Sequence, residues 1–242
     1  MAPANCRWSK RAKFLCSLFL YQGGLILKHC KKAVKIIERL HAIARLYQRE
    51  LVGKTFLILY EGNKSEVIFK SENFLHLCGV ETNLSAKHFF KCAIRKSLTP
   101  KNIFFSQSHP YNLCEIKTKF MPQAISLFKK DSLAITDIST QTRQFKLGTT
   151  DLDVVFCFDE DSASHPNIAR NILFPCSLRV EDIPNSKFNN MYEVNYVLSK
   201  KTGTKNYINI EYGNPNLLTS YLEKYSISDY SINISNQNSS TK

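Results

Sequence analysis

Glycine and proline are scarce in this chain of 242 residues, at eight each, and where glycines fall they build none of the common loops. There is no Walker loop, no G-x-G-x-x-G, no H-E-x-x-H and no G-x-S-x-G, which removes the familiar phosphate-loop, dinucleotide, zinc-protease and serine-hydrolase readings. The eight cysteines form no C-x-x-C and keep no regular spacing, which argues against a zinc ribbon and a compact disulfide framework. Several lie at apolar positions, where a reduced cysteine acts as a small core residue, so a reducing, cytoplasmic setting is expected. Long apolar runs are missing too. The one candidate, Phe14 to Leu27 behind Arg7, Lys10, Arg11 and Lys13, is short for a membrane span and is broken by Gln22, Gly23 and Gly24. No small-x-small cleavage site follows it. Residues 1–26 therefore read as an extension outside the domain, as a packed helix or as a weakly membrane-associating segment, and stable membrane insertion is not expected.

Acidic residues are scarce only in the first part of the chain. Residues 1–50 hold 11 Lys and Arg against 2 acids, residues 51–130 hold 12 against 5, and residues 131–242 hold 10 against 13. The formal charge of +13 thus belongs to the N-terminal half, and it favours an acidic partner: nucleic acid or an anionic membrane surface.

That half is helical in pattern. Ala33, Ile36, Ile37, Leu40, Ile43, Ala44, Tyr47 and Leu51 recur every three or four positions between lysines and arginines, which predicts an amphipathic helix over 27–51. Two short runs around Glu61-Gly62-Asn63-Lys64 read as a hairpin. Ser71 is placed to cap a helix carrying Phe74, Leu75, His76 and Leu77, with Gly79 ending it in a left-handed conformation. A second helix is expected over about 85–96, a brief strand at 103–105, and a turn at His109-Pro110. The next helix, 111–128, has an apolar arc of Leu113, Ile116, Phe120, Met121, Ala124, Leu127 and Phe128. Lys117 falls inside that arc, about 40° from Leu113, and Lys119 falls near its edge. A lysine there snorkels, pairs with a buried acid or points into a cleft. Beyond Asp131 the pattern changes to strands at 132–138, 152–158, 168–174, 192–198 and 207–212. A short helix over 216–225 and a flexible polar tail, 226–242, follow. Helices first and mostly antiparallel strands afterwards predict one α+β domain over 27–225.

Two chemistries fit. Asp151 and Asp153 alternate in G-T-T-D-L-D-V-V-F, as a magnesium-holding D-x-D of a nucleotidyltransferase does, and as a half-exposed strand does equally. The other is metal-independent RNA cleavage, which needs a base for the ribose 2′-OH, a cation for the phosphorane and an acid for the 5′-oxygen, with no cofactor. His76, His88, Lys117, Lys119, Ser177, Arg179, Lys200 and Tyr207 are the candidates, His88, Lys117, Arg179 and Tyr207 as substrate-binding groups. Each histidine taken alone also fits an ordinary helix surface.

The series F-x-H-L-x-G (Phe74, His76, Leu77, Gly79), A-x-x-F-F (Ala86, Phe89, Phe90), K-F (Lys119, Phe120), P-x-S-L (Pro175, Ser177, Leu178) and L-S-K (Leu198, Ser199, Lys200) resembles the fourth group of phage-type barnase/EndoU/colicin/RelE-like nucleases, the PBECR domains. The similarity runs from about 27 to 212. It implies helices packed on an antiparallel sheet and a metal-independent RNase, of the toxin or effector kind found in phages and mobile elements. His76, Lys119, Ser177 and Lys200 stand at the motif positions. Lys117 does not match a family motif and comes from the helical wheel alone. An inhibitory, antitoxin-like protein partner is implied as well. The alternative within the same fold is a binding module, for nucleic acid or protein, without catalysis.

Overall fold

The computed structural model describes residues 10–139, 143–160, 172–180 and 187–234, with side chains from Cys30 onward. Helix α1 spans Lys10–Glu50, and its described part buries the apolar stripe from Ala33 to Tyr47 that the periodicity predicts. Strands β1 (Lys54–Tyr60) and β2 (Asn63–Ile68) follow as a hairpin. Its two turn residues, Glu61 and Gly62, both take positive φ (44° and 80°), the twist a two-residue hairpin turn requires. Helices α2 (Asn73–Cys78), α3 (Ala86–Arg95) and α4 (Tyr111–Ser126) complete the helical half.

The rest is β3 (Leu133–Ser139), β4 (Gln144–Thr150), β5 (Val155–Glu160), β6 (Ile172–Arg179), β7 (Asn190–Glu193), β8 (Tyr196–Lys201), β9 (Asn209–Tyr212) and the short helix α5 (Leu218–Lys224). Among the described residues the strands form one sheet in the order β7-β3-β4-β5-β6-β2-β1-β8-β9. Every pairing is antiparallel except β2 with β6, which touch in parallel only at Glu66↔Ile172 and Val67↔Leu173. Beyond Leu173 the two strands part, and α2 packs against β6 there. The α+β architecture expected from the sequence is the one observed.

Burial on both faces explains the arrangement. On one face Phe56, Phe69, Phe128, Phe156 and Phe158 meet edge to face or tilted, with Phe69 and Phe128 5.2 Å apart, and α1 to α4 cover them. Each such ring contributes about 2–3 kcal/mol by leaving water. On the other face Leu57, Leu59, Leu198 and Tyr207 are covered by α5 and by Ile227, Tyr230, Ile232 and Ile234. The segment from 226 to 234, read from sequence as flexible tail, is thus packed: Tyr207 and Ile232 form a parallel bridge. Residues 235–242 lie outside the described part.

Other details differ from expectation for identifiable reasons. Ser71 does not cap α2; its hydroxyl donates to Glu72, and Asn73 accepts from the Lys70 N–H instead. No strand forms at 103–105, only a bridge between Phe104 and Glu81. The run read as one strand over 192–198 is two, β7 and β8, separated at Val194-Asn195. Strand β4 escaped the pattern because Gln-Phe-Lys-Leu-Gly-Thr-Thr is polar at alternate positions and carries a glycine. No helix of the described residues is long and apolar enough to cross a membrane.

Candidate active site

Helix α4 decides the geometry of the site. Its buried residues are Cys114, Thr118, Met121, Ala124 and Ile125, so the helix is rolled by about 80° from the arc the apolar residues suggest, and Ile116 is left exposed. The roll is possible because the two polar residues it buries are satisfied. Thr118 Oγ1 donates to the Cys114 carbonyl (2.7 Å), and the Cys114 thiol donates to the Gly79 carbonyl (2.6 Å). Lys117 lies inside both arcs.

Gly79 makes room for it. This residue ends α2 at φ 63°, with its N–H bonded to the His76 carbonyl (3.2 Å). A Cβ at Gly79 would stand 2.9 Å from Lys117 Cδ and 3.6 Å from Nζ, so the lysine stem crosses the face of the glycine. The side chain is half-buried and makes no hydrogen bond or carboxylate pair among the described residues. Burial lowers its pKa; the Cys78 sulfur is the largest opposing influence, the Arg179 guanidinium adds a lesser lowering, and Cys114 and Cys157 oppose more weakly. Burial pushes those thiols up in turn, Cys114 to about 11 and Cys157 to about 12, so they form a neutral wall. Cys78 is raised well above its ordinary range for the same reason.

Strand β6 packs against both α2 and α4, and the line where the three meet is termed the notch. Ser177 pairs with Cys157 across β5 and β6, and a bulge between Cys157 and Phe158 inserts Cys176. Bulges of this kind re-aim side chains next to functional sites. Arg179 follows two residues on, on the same face, with its guanidinium 5.7 Å from the Phe145 ring centre. From α2, His76 is exposed, three residues before Gly79. The notch thus gathers elements carrying His76, Lys117, Ser177 and Arg179.

The remaining expected residues lie elsewhere. Lys119 is 200° around α4 from Lys117 and exposed, with Nζ 5.3 Å from the Phe120 ring. Lys200 is buried three strands from β6, paired with Glu66 at 3.0 Å and 4.3 Å above the Tyr207 ring. Tyr207 is fully buried and donates its hydroxyl to the same Glu66 (2.5 Å). These three groups form an internal charged network on the face covered by α5. His88 is exposed on α3 in a row with Lys87, Lys91 and Arg95. Nearby on α1, burial first, and then the charges of Lys96 and Arg45, lower the pKa of His41. By contrast, part of the basic face of α1 is neutralised internally, since Lys35 (2.6 Å) and Arg39 (3.6 Å) both meet Glu115.

Asp151 and Asp153 correct a reading made from alternation. They sit in the bend between β4 and β5, not on a strand, with Leu152 at φ 81°. The Gln123 amide donates to both (3.0 and 3.1 Å), and Lys130 pairs with Asp151 at 2.6 Å.

In the sequence His109 reads only as a turn residue. In the structure its Nδ1 stands 2.9 Å from Glu81 Oε1, two residues beyond Gly79. The signal was absent locally because the partner lies 28 positions away.

A side chain at position 79 tests the notch. Gly79→Ala is expected to cost about 1–2 kcal/mol for the left-handed backbone. It would also push Lys117 aside, so any catalytic rate should fall more than the small loss of stability accounts for. Thermal unfolding and activity measured on the same preparation check this.

The family described as phage-Barnase-EndoU-ColicinE5/D-RelE like nuclease, group 4 (PBECR4), matches residues 39–215. That span includes α2, α4 and β6, and it stops before α5. No curated protein matches the chain, and no solved structure does. With most of its length matched and the expected helices-on-sheet fold in place, the chain belongs to this family of nucleases.

Proposed function

We propose that the protein is a ribonuclease that cleaves RNA without a metal ion, in the notch between α2, α4 and β6. The observation that carries this reading is Lys117, a half-buried cation with no carboxylate partner among the described residues, its stem laid across Gly79. A cation buried without a counter-charge is poorly explained by stability and well explained by an anion that binds to it. A phosphate in transit to a phosphorane is such an anion.

In this reaction the ribose 2′-oxygen attacks phosphorus and loses its proton to a base. The bond to the 5′-oxygen breaks, and that oxygen takes a proton from an acid. The products are a 2′,3′-cyclic phosphate and a 5′-hydroxyl. Lys117 and Arg179 balance the charge that builds on the non-bridging oxygens. Ser177, opposite Cys157 on β6, is a hydrogen-bond donor in this reading, and His76, exposed on α2, is the group that protonates the leaving oxygen. The exposed row of Lys87, His88, Lys91 and Arg95 on α3 serves the flanking phosphates of a longer strand, with no role in the chemical step. A cytoplasmic protein inhibitor fits an enzyme of this kind, and pull-down with an inactive variant is the way to seek it.

The test is incubation of the purified chain with total RNA in excess EDTA, followed by mapping of product ends. Fragments with 2′,3′-cyclic phosphate are expected. Intact RNA from protein shown to be folded favours the non-catalytic binding module, and cleavage that appears only with added magnesium removes the metal-free mechanism.

A further inference from the structure

The reaction just described needs a second proton-transfer group, and the structure holds a histidine oriented for one outside the notch residues already named. Glu81 Oε1 accepts from the hydroxyls of Ser106 (2.5 Å) and Ser108 (3.1 Å) and stands 2.9 Å from His109 Nδ1. The Ser106 hydroxyl also accepts from the His109 backbone N–H (3.1 Å), and the Ser106 N–H donates to the His109 carbonyl (3.2 Å), so the loop holds the backbone of His109 in place. The Ser106 hydrogen bond, then that of His109, keeps the Glu81 carboxyl below its ordinary range. An ionised carboxylate only accepts, so Nδ1 carries the hydrogen, and in the neutral imidazole Nε2 is the acceptor nitrogen. Both side chains stay open to substrate, His109 at 40% and Glu81 at 38% exposure.

The position matters as much as the pairing. The segment from Gly79 to Glu81 runs along the first half of α4. Lys117 crosses its beginning, and His109 is bound to its end. The Cys114 thiol donates to the Gly79 carbonyl (2.6 Å) and lies 3.9 Å from the His109 carbonyl, so Gly79 and the backbone of His109 are neighbours.

We propose that His109 is the general base of the nuclease site, taking the proton of the ribose 2′-OH at Nε2, and that Glu81 is the positioning residue that fixes its tautomer and direction. The inference rests on the ribonuclease reading. A base oriented by a carboxylate is the usual arrangement where a hydroxyl must be activated near neutral pH. His76 then keeps the acid role.

The experiment is a single-turnover assay on a single-stranded RNA oligonucleotide in EDTA with the full chain, His109→Ala and Glu81→Gln, each checked for folding by thermal unfolding. His109→Ala should lose about 100-fold or more in rate, and millimolar imidazole should restore part of it, which a purely structural role would not allow. Glu81→Gln should lower kcat with KM little changed. Cleavage by His109→Ala at the parental rate overturns this inference and leaves the ribonuclease reading standing. Loss of activity without imidazole rescue, with Glu81→Gln unaffected in kcat, also overturns it. RNA left intact by the parent protein overturns the ribonuclease reading, and this inference with it.

Discussion

Replacement of Lys117 by methionine should reduce RNA cleavage by about 100- to 1,000-fold while raising the thermal midpoint by a few degrees. The two effects have one origin. Methionine matches the length of the lysine stem where it crosses Gly79, and it removes a cation that burial disfavours. Folding is thereby relieved, and the phosphorane loses its main counter-charge. A residue kept against stability in this way is characteristic of a site maintained for function. The pH dependence carries a definite sign. Because folding lowers the Lys117 pKa, the unfolded chain holds more protons, and stability contributed by this group rises with pH. The penalty is full below the folded value and gone above the ordinary 10.5, and that slope should be absent in the methionine variant. In kinetics the loss should fall on kcat rather than KM, since the contact strengthens only as charge develops. Equal cleavage by the variant would remove Lys117 from the mechanism.

Lys200→Met should act in the opposite way, with a large loss of stability and little change in the activity of the molecules that remain folded. Lys200 is 7% exposed and Glu66 4%, so the substitution strands a carboxylate in the interior with only the Tyr207 hydroxyl to hold it. Removing one member of a buried ion pair costs about 3–5 kcal/mol, which lowers the thermal midpoint of a chain this size by roughly 10 °C or more. Adding Glu66→Gln should return most of that loss, because the neutral amide still accepts the tyrosine hydroxyl without leaving a charge. Cleavage measured well below the midpoint decides the question. A folded Lys200→Met protein that has lost activity would restore Lys200 to the site, where the L-S-K motif alone had suggested it.

These two lysines show what the sequence could and could not convey. Lys117 was legible because a charge inside an apolar arc is a local anomaly, and it stayed inside the arc even though α4 is rolled towards Cys114, Thr118 and Ile125. The roll itself was illegible, since it depends on a thiol reaching the carbonyl of a residue 35 positions away. Lys200 was legible only as part of a motif. Which face of β8 it occupies, and that Glu66 waits on β2, follow from a strand order in which β1 separates the two. Gly79 was read correctly as a left-handed helix end, but its second use, giving passage to Lys117, needed the tertiary structure. His109 was missed for the reason that hides most such pairs: its orienting carboxylate is remote in sequence. The overall α+β class emerged readily, because helical periodicity and strand texture occupy separate halves of the chain. The exceptions, β4 and the packed segment after α5, are stretches whose polar and small residues mask a buried side.

The central claim is that the 2′-hydroxyl is the nucleophile and that Lys117 serves the resulting phosphorane. The most direct measurement is single-turnover cleavage in EDTA of an RNA oligonucleotide and of the same oligonucleotide with 2′-deoxyribose at the scissile position, each with the parent protein and with Lys117→Met. The parent should cleave the all-ribose strand rapidly, neither protein should cleave the deoxy strand, and the variant should cleave the all-ribose strand slowly. Cleavage of the deoxy strand, or an all-ribose rate unchanged by Lys117→Met, would contradict the claim.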